Sequence, residues 1–216
     1  MITEHDLPVF MAKPEEAIAK TYQMLVGKVA GKIFHDPKIP FDMNAFLEAE
    51  KKVGDKAIIL DAYQFVDWDT LKADTKYAVV SEGVKDVFYD PITCFTNNMG
   101  AAEANEFLME MTAELSAMSK DLNFTSYIFC HLKAPQQGPT HERGGEVLST
   151  QFAGSRAMMR SCNMMLGLQG NKDPSLSPEQ RNMRKLVLLE DREFGNVGGI
   201  DLYWNNQTGL FTEIKS

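Results

Sequence analysis

The sequence predicts an α/β fold: a mostly parallel sheet flanked by helices, with an antiparallel hairpin at the C-terminus. Three observations carry it. Short apolar runs of strand length alternate with longer segments of helical period, the pattern of strands joined by helical crossovers. The runs are apolar throughout rather than alternating, as in strands covered on both faces. Residues 201–204 and 210–214, separated by the polar stretch 205–209, read as two hairpin strands.

Taken in order, residues 7–11 form a brief first strand. A helix is expected from about Lys13 to Ile33. Pro14 needs no N–H in a first turn, Glu15 and Glu16 favour the positive end of the helix dipole, and Ile18, Tyr22, Leu25, Val29 and Ile33 recur near the 3.6-residue period. Residues 34–40 are a loop, and 44–53 a short helix closed by Gly54. Residues 57–60 form a strand ending at Asp61, 68–80 a helix before Gly83, and 84–90 a strand that again ends in an acid. Residues 101–120, rich in Ala, Glu, Leu and Met and lacking Gly and Pro, are the strongest helix. A further strand, 126–130, runs into His131. Beyond a polar stretch marked by Pro and Gly (134–146), residues 155–168 are expected to be helical, 171–181 a loop and 185–190 a strand. No internal repeat divides the chain, and one domain spanning residues 1–216 is expected.

Composition narrows the class. Of 216 residues, 44% are hydrophobic and 24% charged, which excludes collagen-like and wholly disordered chains. The net charge of −8 rules out binding nucleic acid by bulk attraction, so phosphate contacts must come from local patches. Three cysteines, Cys94, Cys130 and Cys162, show no CxxC spacing, which fits a reducing cytoplasm and argues against a zinc site. No apolar run approaches the ~18 residues of a membrane span, so no membrane partner is expected.

Ligands of open α/β sheets bind beyond the carboxyl ends of the strands. Three strands end there in a polar residue: Asp61, Asp90 and His131. Asp61 reads as a turn or helix cap. Asp90 follows the aromatic run Val87-Phe88-Tyr89, the place where nucleotide-hydrolysing folds hold Mg²⁺ through its water shell. His131, taken alone, reads more simply as a satisfied polar residue, and with His141 and Glu142 it lacks metal-ligand spacing. Arg192 lies between a strand and a Gly-rich turn, where pairing with neighbouring acids is the plain reading. Met158, Met159, Met164 and Met165 read as packing or subunit contact.

Order and wording together go further. The run Cys130-His131-Leu132-Lys133-Ala134-Pro135, then Gly138, His141-Glu142-Arg143-Gly144-Gly145 and Gly154-Ser155, closely resembles the hexameric replicative DNA helicases: the phage primase–helicases, the mitochondrial Twinkle helicase and bacterial DnaB. Leu188-Leu189-Glu190-Asp191-Arg192, Gly195, Gly198 and Tyr203-Trp204-Asn205-Asn206-Gln207-Thr208-Gly209 continue in the same register.

The resemblance implies a RecA-like core that hydrolyses ATP or dTTP with Mg²⁺ at the joints of a ring, a hexamer in this family. By position, Asp90 is the Mg²⁺-associated acid, His131 the γ-phosphate sensor and Arg192 the arginine finger reaching a neighbour's site. An Arg supplied in trans is worth ~10³–10⁵ in rate. The segment after His131 is implied to face single-stranded DNA. Residues 131–160 carry four basic residues (Lys133, Arg143, Arg156, Arg160) against Glu142 and Glu146, a net +2 on an acidic body. The family's water-activating Glu falls where this chain reads Met11-Ala12-Lys13-Pro14-Glu15-Glu16. Glu15 is the candidate that occupies or approaches that role, while the local alignment favours Ala12 or Lys13.

One departure matters most. The phosphate-cradling motif GxxxxGK[ST] is absent from the sequence, and the two Gly-Lys pairs, Gly27-Lys28 and Gly31-Lys32, read as helix surface. The expected fold is therefore a RecA-like core incomplete at its N-terminus, lacking the P-loop strand and helix. Three readings follow. The chain is the C-terminal part of a split helicase whose P-loop or primase portion comes from a second polypeptide; or a non-catalytic RecA-like module of a helicase ring; or a remnant with no independent role. The first two place it in the cytoplasm of a bacterial or phage-infected host.

Overall fold

The computed structural model describes residues 1–61, 67–152 and 155–215, without the side chains of 155–157. The chain forms two compact units, Met1–Cys130 and His131–Ser216.

The first unit opens with a single turn, α1 (Ile2–His5), and strand β1 (Val9–Ala12), followed by α2 (Ile18–Ala30), α3 (Met43–Val53), β2 (Ala57–Leu60), α4 (Trp68–Ser81), β3 (Asp86–Tyr89), α5 (Ala101–Leu122) and β4 (Thr125–Ile128). The four strands make one parallel sheet in the order β2-β1-β3-β4. Register fixes which side chains share a face. Val9 and Met11 align with Ala57 and Ile59 on one side and with Asp86 and Phe88 on the other. That face packs against α2 and α3, in a core of Ile2, Val9, Val26, Phe34, Ala49 and Val53. The opposite face carries Tyr89 and Ser126. The Tyr89 and Thr75 hydroxyls are hydrogen-bonded at 3.1 Å, and those of Ser126 and Ser119 at 2.6 Å, which puts α4 and α5 on that side. On α5 the buried residues Leu108, Met111, Leu115 and Met118 recur at helical spacing. Helices thus cover both faces, as the continuous apolar runs predict.

The helix expected from Lys13 begins later, at Ile18. Residues 13–16 form a turn instead, closed by the Glu16 amide donating to the Lys13 carbonyl. The Glu16 carboxylate is held there by Lys13 and Lys20, both at 2.8 Å. The two Gly-Lys pairs belong to the C-terminal end of α2. Gly31 takes the left-handed conformation (φ 62°) that closes the helix, and a Cβ on Gly27 would lie 2.5 Å from the Lys32 carbonyl oxygen. Both glycines serve the helix ending.

The second unit holds α6 (Ser155–Ser161), β5 (Met164–Gly170), α7 (Pro178–Asn182), β6 (Met183–Asp191), β7 (Gly198–Asn205) and β8 (Leu210–Glu213). The expected hairpin is β7–β8, and it belongs to a separate antiparallel sheet of order β5-β6-β7-β8. The helix expected over 155–168 stops at Ser161. The following residues are β5, with burial alternating from Met164 (exposed) through Met165 and Gly167 (buried) to Leu168 (exposed). The expected loop 171–181 contains α7. Its start is a capping box: the Ser177 hydroxyl accepts from the Gln180 amide at 3.2 Å, and Gln180 Oε1 accepts from the Ser177 amide at 3.0 Å.

Candidate functional site

The sheet of the first unit brings three sequence positions into one corner. The Asp90 amide donates to the Ala12 carbonyl at 2.9 Å, extending the β1–β3 pairing one residue past both strands. This sets the Asp90 side chain beside residue 13. Lys13 Nζ lies 2.8 Å from Glu16 Oε2 and 3.4 Å from Asp90 Oδ2, so one ammonium bridges two carboxylates. Lys20 Nζ takes the other Glu16 oxygen, Oε1. Glu15, exposed beside them, accepts a hydrogen bond from the Cys94 thiol at 3.1 Å. Asp90 and Glu15, two of the residues singled out from sequence, therefore share a corner. Of the residues completing it, Lys13 entered the sequence reading only as an alternative alignment for the water-activating position, and Glu16 and Cys94 carried no functional assignment. Their signal was positional, since Lys13 is the first residue past a strand at the sheet's carboxyl end.

The electrostatics follow from those contacts. Burial pushes the Glu16 carboxyl up, but the hydrogen bonds from Lys13 and Lys20 prevail and hold it at about 2. Burial pulls Lys13 down, and Glu16 and Asp90 outweigh it, leaving the ammonium above its ordinary value. The Cys94 thiol is pushed up to about 12 by burial and by Glu15, and Cys130 to about 12 by burial. Neither is a ready thiolate.

The remaining candidates lie in the second unit. His131 opens it and is exposed. The segment after it is pinned by backbone: Leu132 bridges Phe152, the Lys133 amide donates to the Gln151 carbonyl at 2.7 Å, and Arg143 bridges Asn171. Lys133 and Arg143 are exposed, as are Gln136 and Gln137 between them. Arg156 is on α6 with its side chain outside the described residues. Arg160, also on α6, is exposed, and its carbonyl accepts a hydrogen bond from the Arg192 guanidinium. The structure thus brings Arg160 and Arg192 together. Arg192 sits on the turn after β6, where the Asp191 carboxylate accepts from the amides of Glu193 and Phe194 at 3.2 Å and from the Asn196 side chain at 2.9 Å.

A divalent ion asks for several oxygens in near-octahedral array. Among the described residues, no three His, Cys, Asp or Glu side chains converge in that way. Glu16 spends both oxygens on lysines, and Asp90 faces the Lys13 ammonium. The described residues do not by themselves fit a resident divalent cation.

A parallel sheet covered on both faces, with a charged corner beyond its strand ends and a separate antiparallel sheet later in the chain, is the RecA-like fold seen in solved DnaB-like helicase domains. The chain matches, with a TM-score of 0.77 and 14% identity, a solved DnaB-like replicative helicase studied for its interactions with primase, covering 99% of this chain and 53% of that one. A solved ATPase domain matches with a TM-score of 0.78, also at 14% identity, over 99% of this chain and 76% of that one. In sequence, the chain is 23% identical over 152 residues to the DNA helicase/primase of Enterobacteria phage T3. That match takes in 70% of this chain and spans about a quarter (26%) of the relative's length. No family model matches the chain. No helix among the described residues is long and apolar enough to cross a membrane.

Proposed function

We propose that this chain is the C-terminal part of an NTP-dependent replicative DNA helicase, which unwinds duplex DNA by translocating on single-stranded DNA. The observation that carries this is the agreement of two independent matches: a phage helicase/primase in sequence, and a DnaB-like helicase in fold. In this reading Arg192 is the finger offered to a neighbouring subunit, supplying positive charge where phosphoryl transfer spreads negative charge over oxygens. His131 senses the γ-phosphate. Lys133, Arg143, Arg156 and Arg160 track the DNA backbone, and Asp90 and Glu15 line the corner facing the nucleotide, ATP or dTTP. The P-loop, with the groups that hold the β- and γ-phosphates, lies outside these 216 residues. The ring is a hexamer, working in the cytoplasm of a bacterial or phage-infected host.

The test is to purify the chain alone and together with a P-loop-bearing partner, beginning with the product of the neighbouring upstream reading frame. The expected result is DNA-stimulated hydrolysis and unwinding by the pair and none by the chain alone. A pair inactive in both assays removes this reading.

The Lys13–Asp90 ion pair favours a second one, a RecA-like module that joins a helicase ring and lends Arg192 without hydrolysing nucleotide itself. It predicts that adding the chain to an active ring helicase changes that enzyme's rate, and that Arg192→Ala removes the effect.

A further inference from the structure

The corner beyond β1 and β3 is built around a cation that the protein itself provides. Residue 13 is carried there by the backbone: β1 and β3 run parallel and in register, and the Asp90 amide on the Ala12 carbonyl fixes the spacing where the strands end. The Lys13 side chain is one-fifth exposed, and its ammonium reaches Glu16 at 2.8 Å and Asp90 at 3.4 Å. Glu16 cannot turn to another ligand without giving up a lysine, because Lys20 occupies its second oxygen. Asp90, with 38% of its side chain exposed, is the carboxylate of this pair that solvent ions reach. A divalent ion approaching it meets the positive charge of Lys13 at close range.

We propose that the Lys13 ammonium stands in place of a divalent cation at Asp90 and excludes Mg²⁺ and Mn²⁺ from this corner. Lys13 is thereby the residue that sets the ion specificity of the site. Removing its charge leaves the Asp90 and Glu16 carboxylates facing one another with Glu15 near by, an arrangement whose repulsion a divalent ion relieves. The inference concerns the chain's own chemistry and stands whether or not the chain joins a ring.

The experiment measures Mn²⁺ binding to the full chain by electron paramagnetic resonance, without nucleotide or partner, so that it is independent of any helicase assay. The parent chain is compared with Lys13→Ala, Lys13→Arg and the double variant Lys13→Ala/Asp90→Asn. Lys13→Ala is expected to bind one Mn²⁺ about tenfold or more tightly than the parent, given the charge removed within a few ångströms of the ion. Lys13→Arg, which keeps the charge, is expected to behave like the parent, and the double variant to lose the gained site. Should Lys13→Ala not fold, Lys13→Gln carries the same comparison. Equal affinity in the parent and the neutral variant, binding by neither, or a gain that survives Asp90→Asn overturns the proposal.

Discussion

The two units of the chain differ in net charge and in which cation carries it. Residues 1–130 carry 12 basic residues, all Lys, against 21 acids, a net −9. Residues 131–216 carry 10 basic residues against 9 acids, a net +1, and all six arginines of the chain are among them. Exposed apolar side chains do not separate them: Phe41, Met43, Tyr77 and Val80 are exposed in the first unit, and Met164, Leu166 and Leu168 in the second. A planar guanidinium suits phosphate oxygens better than an ammonium does, so the groups fit for gripping a polyanion are concentrated in the second unit. The contrast teaches that charge is partitioned along the chain, acid on the first unit and guanidinium on the second.

The comparison breaks most plainly in a pair of truncations. Leu115→Ala empties a fully buried position of α5 and is expected to cost ~2–5 kcal/mol, whereas Leu168→Ala, at a side chain 49% exposed, is expected to cost less than about 1 kcal/mol. Urea melts of the two variants check it, and equal costs would erase the distinction between the buried and the exposed position. Gly27→Ala is expected to destabilise the first unit by about 2 kcal/mol, because its Cβ meets a backbone oxygen that cannot swing aside. A smaller effect belongs to Glu16. Its carboxyl is held at about 2 against an ordinary 4.5, so the stabilisation is fully present above pH 4.5 and is lost as the pH falls toward 2. An ion pair within reach of solvent is worth about 1 kcal/mol. Glu16→Gln should remove that part of the acid sensitivity, which stability measured between pH 5 and 2 will show.

The strands of the first unit were legible because apolar runs between helical segments leave few alternatives, and α5 because twenty-two residues dominated by good helix formers propagate once begun. Strand β5 was not. Met164, Met165, Leu166 and Leu168 are good helix formers, and pairing with β6 overrides them. The Ser177–Gln180 capping box was there to be read and marks a helix only five residues long. The late start of α2 was hidden because Pro14, Glu15 and Glu16 are sound helix-start residues, and only the lysines on Glu16 show why they form a turn. Asp90 was legible from its place at a strand end. Its partnership with Lys13 was not, since no spacing in the sequence states which strands are neighbours.

The turn carrying Arg192 is tied off by the aspartate before it, whose carboxylate gathers the amides of Glu193, Phe194 and Asn196. Its shape is thus written within a handful of consecutive positions and does not wait for an adjoining molecule to mould it. In the role proposed for Arg192, the backbone beneath the guanidinium is set before docking, so little backbone ordering entropy is left to surrender, and only the side chain must leave the Arg160 carbonyl.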